Sequence, residues 1–144
     1  MCDAIATIRI RLPAVELWAP PTVVEELAHA AATSPDDELR RAALRILREH
    51  RTLGFRLINF VPLGFDHVER IAERLRRCGL VPEAEVHDSI VLTEAAALGC
   101  ALLTSSDDDL RSVDHVKLSR ELAKFDLIAP VIATPREIVS KFFR

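Results

Sequence analysis

Three aspartates stand in a row behind a short apolar run, in ALLTSSDDDL at residues 101–110. Adjacent like charges repel, so such a cluster either solvates a chain reversal or meets a cation. Both chemistries fit the local sequence. Asp107, Asp108 and Asp109 can cap a helix and favour its positive N-terminal dipole. They can also form one wall of a divalent-metal site, because Mg2+ takes a few carboxylates and keeps several waters. The second reading needs other acids that converge on the same place.

Asp88, in EVHDSIVLTEAAALG, is one such acid. If residues 82–99 form a single helix, Val91, Leu92, Ala95 and Leu98 make an apolar arc. Asp88 then projects into that arc, with Glu85 three residues earlier on the same side. A carboxylate facing a core is costly unless it is paired, hydrogen-bonded or metal-bound. If the helix begins at Ser89 instead, Asp88 is its N-cap. Both readings stay open at this point. Glu25 and Glu26, in TVVEELAHAAA, flank an arc of Val23, Val24, Leu27, Ala28 and Ala31. Their plain alternative is a pair of solvated first-turn glutamates.

The elements that must position these acids alternate between strand-like and helix-like segments. VELWAP (15–20), FRLINFVPL (55–63), CALLTSS (100–106) and APVIATP (129–135) read as strands. Helices are expected at 22–32, capped by Thr22, and at 34–50, with Ser34 as cap and Pro35 in the first turn. Further helices are expected at 65–80, ended by Gly79, at 82–99, started by Pro82 and ended by Gly99, over most of 107–125, and in REIVSKFF at the close. Strands separated by helices imply right-handed crossovers and a parallel sheet covered on both faces. In such folds ligands bind beyond the carboxyl ends of the strands. Asp107 follows a strand at that end.

Taken together, ELWAPPTVVEEL, EVHDSIVLTEAAALGCALLTSSDDDL and VIATPREIVSKFF resemble the PIN-domain family, over roughly residues 14 to 144. The resemblance implies a single three-layer α/β/α domain over residues 1–144, with a central parallel sheet of about 4–5 strands. It implies a Mg2+- or Mn2+-dependent ribonuclease, of the kind that includes toxins of bacterial toxin–antitoxin pairs. Glu26 in VVEEL takes the place of the family's acid after the second strand. Asp88 in HDSIV matches the acid that opens the long apolar helix. Asp107 and Asp109 match the acids of the segment after the next strand, with Leu110 for its aromatic residue and Thr104 or Ser105 for its hydroxyl. Spacing there is one residue longer than the commonest form, which leaves Asp107 and Asp108 as alternatives. Glu26, Asp88, Asp107 and Asp109 are thereby the implied metal ligands and catalytic acids. RNA, a cognate antitoxin protein and a second copy in a homodimer are the implied partners.

The chemistry suits these residue types. Clustered carboxylates repel one another until a divalent cation joins them. One or two such ions polarise a phosphodiester, activate a water and stabilise the leaving oxygen. No histidine base or nucleophilic side chain is required. One departure bears on this. The family's first acid ends a first strand that precedes a helix and a second strand, yet only 23 residues separate Asp3 from Glu26. DAIATIRIRL fits the helix of that series better, although its Ile and Thr content also permits a strand. The first strand and its aspartate are therefore expected to be missing or truncated, or to lie upstream of Met1, with Asp3 as the substitute. The alternative function is a catalytically degenerate PIN-like module that binds RNA or a protein partner. A plainer one is an α/β domain whose acids are all helix caps.

Composition bounds the remaining classes. The 144 residues fit one domain with a real core, 49% of them apolar. Net charge is −3, so nucleic-acid binding must come from a local patch or from metal. Arg70, Arg74 and Arg77 make such a stripe, and Arg41, Arg45 and Arg48 another, although interspersed glutamates make a solvated, ion-paired face the plainer reading. Cys2, Cys78 and Cys100 form no CxxC, which argues against a zinc site or a disulfide framework and for a reduced, cytoplasmic compartment. The five histidines show no metal-ligand spacing. There is no leader-like N-terminus and no apolar run long enough for a membrane span. No Walker loop, GxGxxG or GxSxG supports nucleotide-dependent or serine-hydrolase chemistry.

Overall fold

The computed structural model describes residues 2–142, and for Cys2, Asp3 and Phe142 the backbone alone. The expected alternation is present. In order, the elements are α1 (Cys2–Arg11), β1 (Leu17–Ala19), α2 (Pro21–Thr33), α3 (Asp37–Leu53), β2 (Phe55–Leu57) and α4 (Phe65–Arg77). Then follow α5 (Val86–Ala97), β3 (Leu102–Thr104), α6 (Asp108–Arg111), α7 (His115–Ala123), β4 (Val131–Ala133) and α8 (Pro135–Phe142). The chain divides into two compact units, Ala14–Phe60 on the one hand and Met1–Pro13 with Val61–Arg144 on the other.

The smaller unit holds β1, α2, α3 and β2. Its two strands pair in parallel, with Leu17 opposite Phe55, Trp18 opposite Arg56 and Ala19 opposite Leu57. Parallel strands need a crossover, and the α2–α3 pair supplies it. Asp36, not Ser34, caps α3: its carboxylate accepts from the N–H groups of Glu38 and Leu39 at 2.8 and 3.3 Å. Ser34 instead holds Asp36, whose N–H donates to the Ser34 hydroxyl at 3.2 Å. Thr22 does not cap α2 either. Pro20 takes the cap position without a side-chain bond, because Pro21 already starts the helix, and Thr22 is buried in the first turn. The buried positions of this unit are Ala19, Pro20, Thr22 and Ala43, so its interior is built of small side chains.

The larger unit carries the main core. Ile71, Leu75, Leu80, Val81, Leu92, Ala96, Leu110, Leu118 and Leu122 pack as one cluster, and Val61, Val68, Ala72 and Ile90 as a second. The α4 helix presents Val68, Ile71, Ala72 and Leu75 to this interior, at the spacing of one helical face. The α5 helix is different, since every residue from Ser89 to Ala96 is buried. A helix buried all round must be surrounded by other elements. Packing against α5 are α4 and β3, while α1 packs on α8. At Gly99, with φ 70°, α5 stops in a left-handed turn: the Gly99 and Cys100 N–H groups donate to the carbonyls of Ala96 and Ala95. Strand β3 pairs in parallel with β4, Leu102 opposite Val131 and Thr104 opposite Ala133.

The fold is thus α/β with parallel strands, and the strands are shorter than the sequence implied. Among the described residues they form two separate two-stranded sheets, β1–β2 and β3–β4. Residues 58–63, expected to continue a strand, leave the extended ladder at Ile58, whose N–H still donates to Ala19 O at 2.9 Å. Residues 2–11, compatible with helix or strand, are the helix α1.

The core cluster generates a direct prediction. Leu92 is fully buried at 0% exposure. Leu92→Ala is expected to lower unfolding free energy by about 2–5 kcal/mol, read as a fall in the urea midpoint. Val116, at 61% exposure on α7, serves as the comparison: Val116→Ala should shift stability by no more than roughly 0.5 kcal/mol.

Candidate functional site

Each acid singled out in the sequence has a definite place. Asp88 is half-buried in the first turn of α5, where Glu85 holds the N-cap position without a side-chain cap bond. It is therefore not the N-cap. The helix starts four residues later than residues 82–99 implied, because Pro82 and the polar 83–85 segment form a turn, with Glu85 N–H donating to Pro82 O at 3.0 Å. Glu94, further along α5, is only 2% exposed. No buried side-chain nitrogen or oxygen among the described residues lacks a hydrogen-bond partner, so Glu94 is satisfied inside the protein. The sequence signal for it was its position as the one acid inside an otherwise apolar run.

The three consecutive aspartates divide their roles. Asp107 has extended backbone (φ −73°, ψ 130°) and caps α6, its carboxylate accepting from the Asp109 N–H at 2.8 Å. Its own N–H donates to the Ser105 hydroxyl at 3.0 Å, which gives that hydroxyl a structural task. Asp108 pairs with Arg111 at 2.9 Å. Asp109 is exposed, and its carbonyl accepts from the Ser112 hydroxyl at 2.9 Å. Leu110, next in line, is 3% exposed and joins the main core, which anchors the segment.

A second tie, unseen in the sequence, fixes this acidic turn. Arg111 donates to Glu137 on α8 at 3.0 Å as well as to Asp108. Glu137 in turn accepts from the Thr134 N–H at 2.7 Å, while its own N–H donates to the Thr134 hydroxyl at 3.1 Å. This is a reciprocal capping box, and its T-x-x-E pattern with Pro135 between was the readable signal. The Thr134 backbone N–H, then its hydroxyl and Arg111, hold the Glu137 carboxyl below its ordinary value.

Glu26 is exposed on α2, in the Ala14–Phe60 unit, whereas Asp88, Asp107 and Asp109 belong to the larger unit. Asp3, the proposed substitute for the first acid, falls in α1, and its side chain lies outside the described residues. Among the described residues, no three His, Cys, Asp or Glu side chains are grouped so as to hold a metal ion. Asp88, Asp107 and Asp109, the acids of the larger unit, thus form no such group by themselves. The order along the chain is the expected one: the turn at Gly99 leads from α5 into β3, and Asp107 follows β3. In the arginine stripe of α3, Arg41 pairs with Asp37 at 4.0 Å and Arg45 with Glu49 at 3.0 Å.

This order of parallel strands and acid-bearing helices defines an α/β protein with acids following its strands, and comparison with known families agrees. The PIN domain model matches residues 3–116, from α1 through the acidic turn to the start of α7. The chain belongs to the PIN domain family. The match starts earlier and ends earlier than the sequence resemblance, taking in α1 and leaving out β4 and α8. No curated protein and no solved structure matches significantly. No helix among the described residues is long and apolar enough to cross a membrane.

The Glu137 tie predicts a pH dependence. A carboxyl lowered in the folded state stabilises the fold above its unfolded pKa and loses that effect as pH falls through the folded value. Wild type should therefore exceed Glu137→Gln in melting temperature near neutral pH. The gap should close as pH drops below the ordinary glutamate value of 4.5. Thermal melts of both proteins across that range check it, and a gap that widens in acid contradicts the assignment.

Proposed function

We propose that this chain is a ribonuclease of the PIN type, hydrolysing RNA phosphodiester bonds in a Mg2+- or Mn2+-dependent reaction. The observation that carries the reading is the family match, which spans the three acid-bearing segments in order: Glu26 on α2, Asp88 on α5, and Asp107 with Asp109 at α6. Within this reading those four residues are the metal ligands and catalytic acids, and Asp88 is the central one. It is the half-buried acid of the set, on the helix with the most complete packing. A toxin role with a cognate antitoxin, a homodimer and a cytoplasmic location belong to the same reading. So does a single central sheet of four to five strands, as the family architecture implies.

A second reading is a PIN-like module that binds RNA or a protein partner without cleaving it. The Asp107 carboxylate favours it, being engaged as a helix cap, as does Asp108, held by Arg111.

One experiment separates the two. The full chain is incubated with single-stranded and structured RNA, with Mg2+ or Mn2+, with and without chelator. Chelator-sensitive cleavage that falls on the order of 100-fold or more in Asp88→Asn is the expected result. Absence of such cleavage from a folded sample, together with no thermal stabilisation by millimolar Mn2+, would establish the binding module instead, because a ligand of the native state must raise stability.

A further inference from the structure

The solvent face of α4 carries a feature that the acid site does not use. Arg70, Glu73, Arg74, Arg77 and Cys78 line a surface recess of about 250 Å3. Arg70, Arg74 and Arg77 recur at i, i+4 and i+7, opposite the buried face of Val68, Ile71, Ala72 and Leu75. At 1.5 Å rise per residue they extend over roughly 10 Å of the helix.

Of the carboxylates nearby, Glu73 alone lines the recess. Arg77 pairs with Glu73 at 2.6 Å, and Arg74 pairs with Glu121 of α7 at 2.7 Å. Glu121 is also bonded to Lys124, so it is shared between two cations. Arg70 has no ion-pair partner among the described residues, although Asp66 precedes it by one helical turn. Of the residues that line the recess, Arg70, Arg74 and Arg77 face Glu73, an excess of two positive charges on a protein whose net charge is −3. The guanidinium is the group whose planar fork suits phosphate oxygens.

The same helix is bolted to the turn that carries Asp88. Arg76 donates to the Ser89 hydroxyl, and that hydroxyl donates to Val86 O at 2.6 Å. Ser89 is completely buried and adjoins Asp88. A chain held along α4 is therefore held on the element that packs against the first turn of α5.

We propose that the α4 recess is a phosphate-binding subsite that holds the RNA backbone, with Arg70 and Arg77 taking the phosphates and Arg74 fixing α4 to α7. It rests on the reading of the protein as RNA-acting and adds the surface that grips the strand. Arginine-only cations, a concave lining and an excess of positive charge favour a polyphosphate backbone over an acidic protein segment.

The test uses the full chain in chelator, so that binding is read without cleavage. A labelled single-stranded RNA is titrated across a salt series. In Arg70→Gln/Arg77→Gln the slope of log affinity against log salt should be shallower by roughly 0.7 for each phosphate that no longer meets a guanidinium. Arg45→Gln on α3, which removes a cation paired to Glu49, should leave the slope unchanged. Thermal melts of both variants verify folding. Cys78 gives a local readout, because it is exposed and lines the recess. Saturating RNA should slow its alkylation, measured by peptide mass spectrometry, while Cys100 is unaffected. An unchanged slope in the folded double variant, or unprotected Cys78 at saturating RNA, overturns the proposal. Protection by polyglutamate but not by RNA overturns it in favour of an acidic protein partner. Cleavage in the Mg2+ or Mn2+ assay with Cys78 unprotected in chelator would sink the recess alone, and protection in chelator with no cleavage in the metal assay would sink the nuclease reading alone.

Discussion

The burial of α5 is the constraint on which the larger unit depends. Eight consecutive residues, Ser89 to Ala96, are removed from solvent, including a serine, a threonine and a glutamate. Such a helix cannot be stabilised by one apolar stripe. It needs neighbours all round, and its polar groups need partners, since an unmade hydrogen bond in the interior costs free energy. Thr93 meets that demand by donating back to Ser89 O at 2.8 Å, and Ser89 by bonding Val86 O and Arg76. The first turn of α5 emerges from this interior, and half-buried Asp88 lies there.

The acidic turn after β3 depends on that core in a different way. Leu110 enters the interior beside Leu118 and Leu122, and Arg111 reaches back to Glu137. Of these two neighbours, one holds the segment by apolar contact and the other by charge. What they position is a short helix whose start is capped by Asp107 itself. The residue best placed by sequence for a cation is thus also the residue that closes the helix. A carboxylate has two oxygens and several lone pairs, so a cap bond through Oδ1 does not use its full capacity.

In the proposed reading, function combines an acid set with a basic face on neighbouring elements. The net charge of −3 leaves no general attraction for nucleic acid. A local excess of arginine on α4 offsets this where it matters, close to the helix that bears Asp88. On α3, Arg41 pairs with Asp37 and Arg45 with Glu49 of the same helix.

The sequence by itself determined the alternation of helices and strands, the parallel pairing, the breaks at Gly79 and Gly99 and the family. These follow from local rules: apolar period, capping residues and the left-handed turn that glycine permits. It also named Asp88 and the aspartate run, because charge in an apolar context is visible in one dimension. It did not determine where α5 begins, that Glu94 is buried, that Asp36 rather than Ser34 caps α3, or that Arg111 bridges Asp108 and Glu137. Those depend on which groups meet across the fold, 26 residues apart in the last case. Strand length was likewise decided in three dimensions. Each ladder runs for three residues, because a strand persists only where a partner backbone lies beside it.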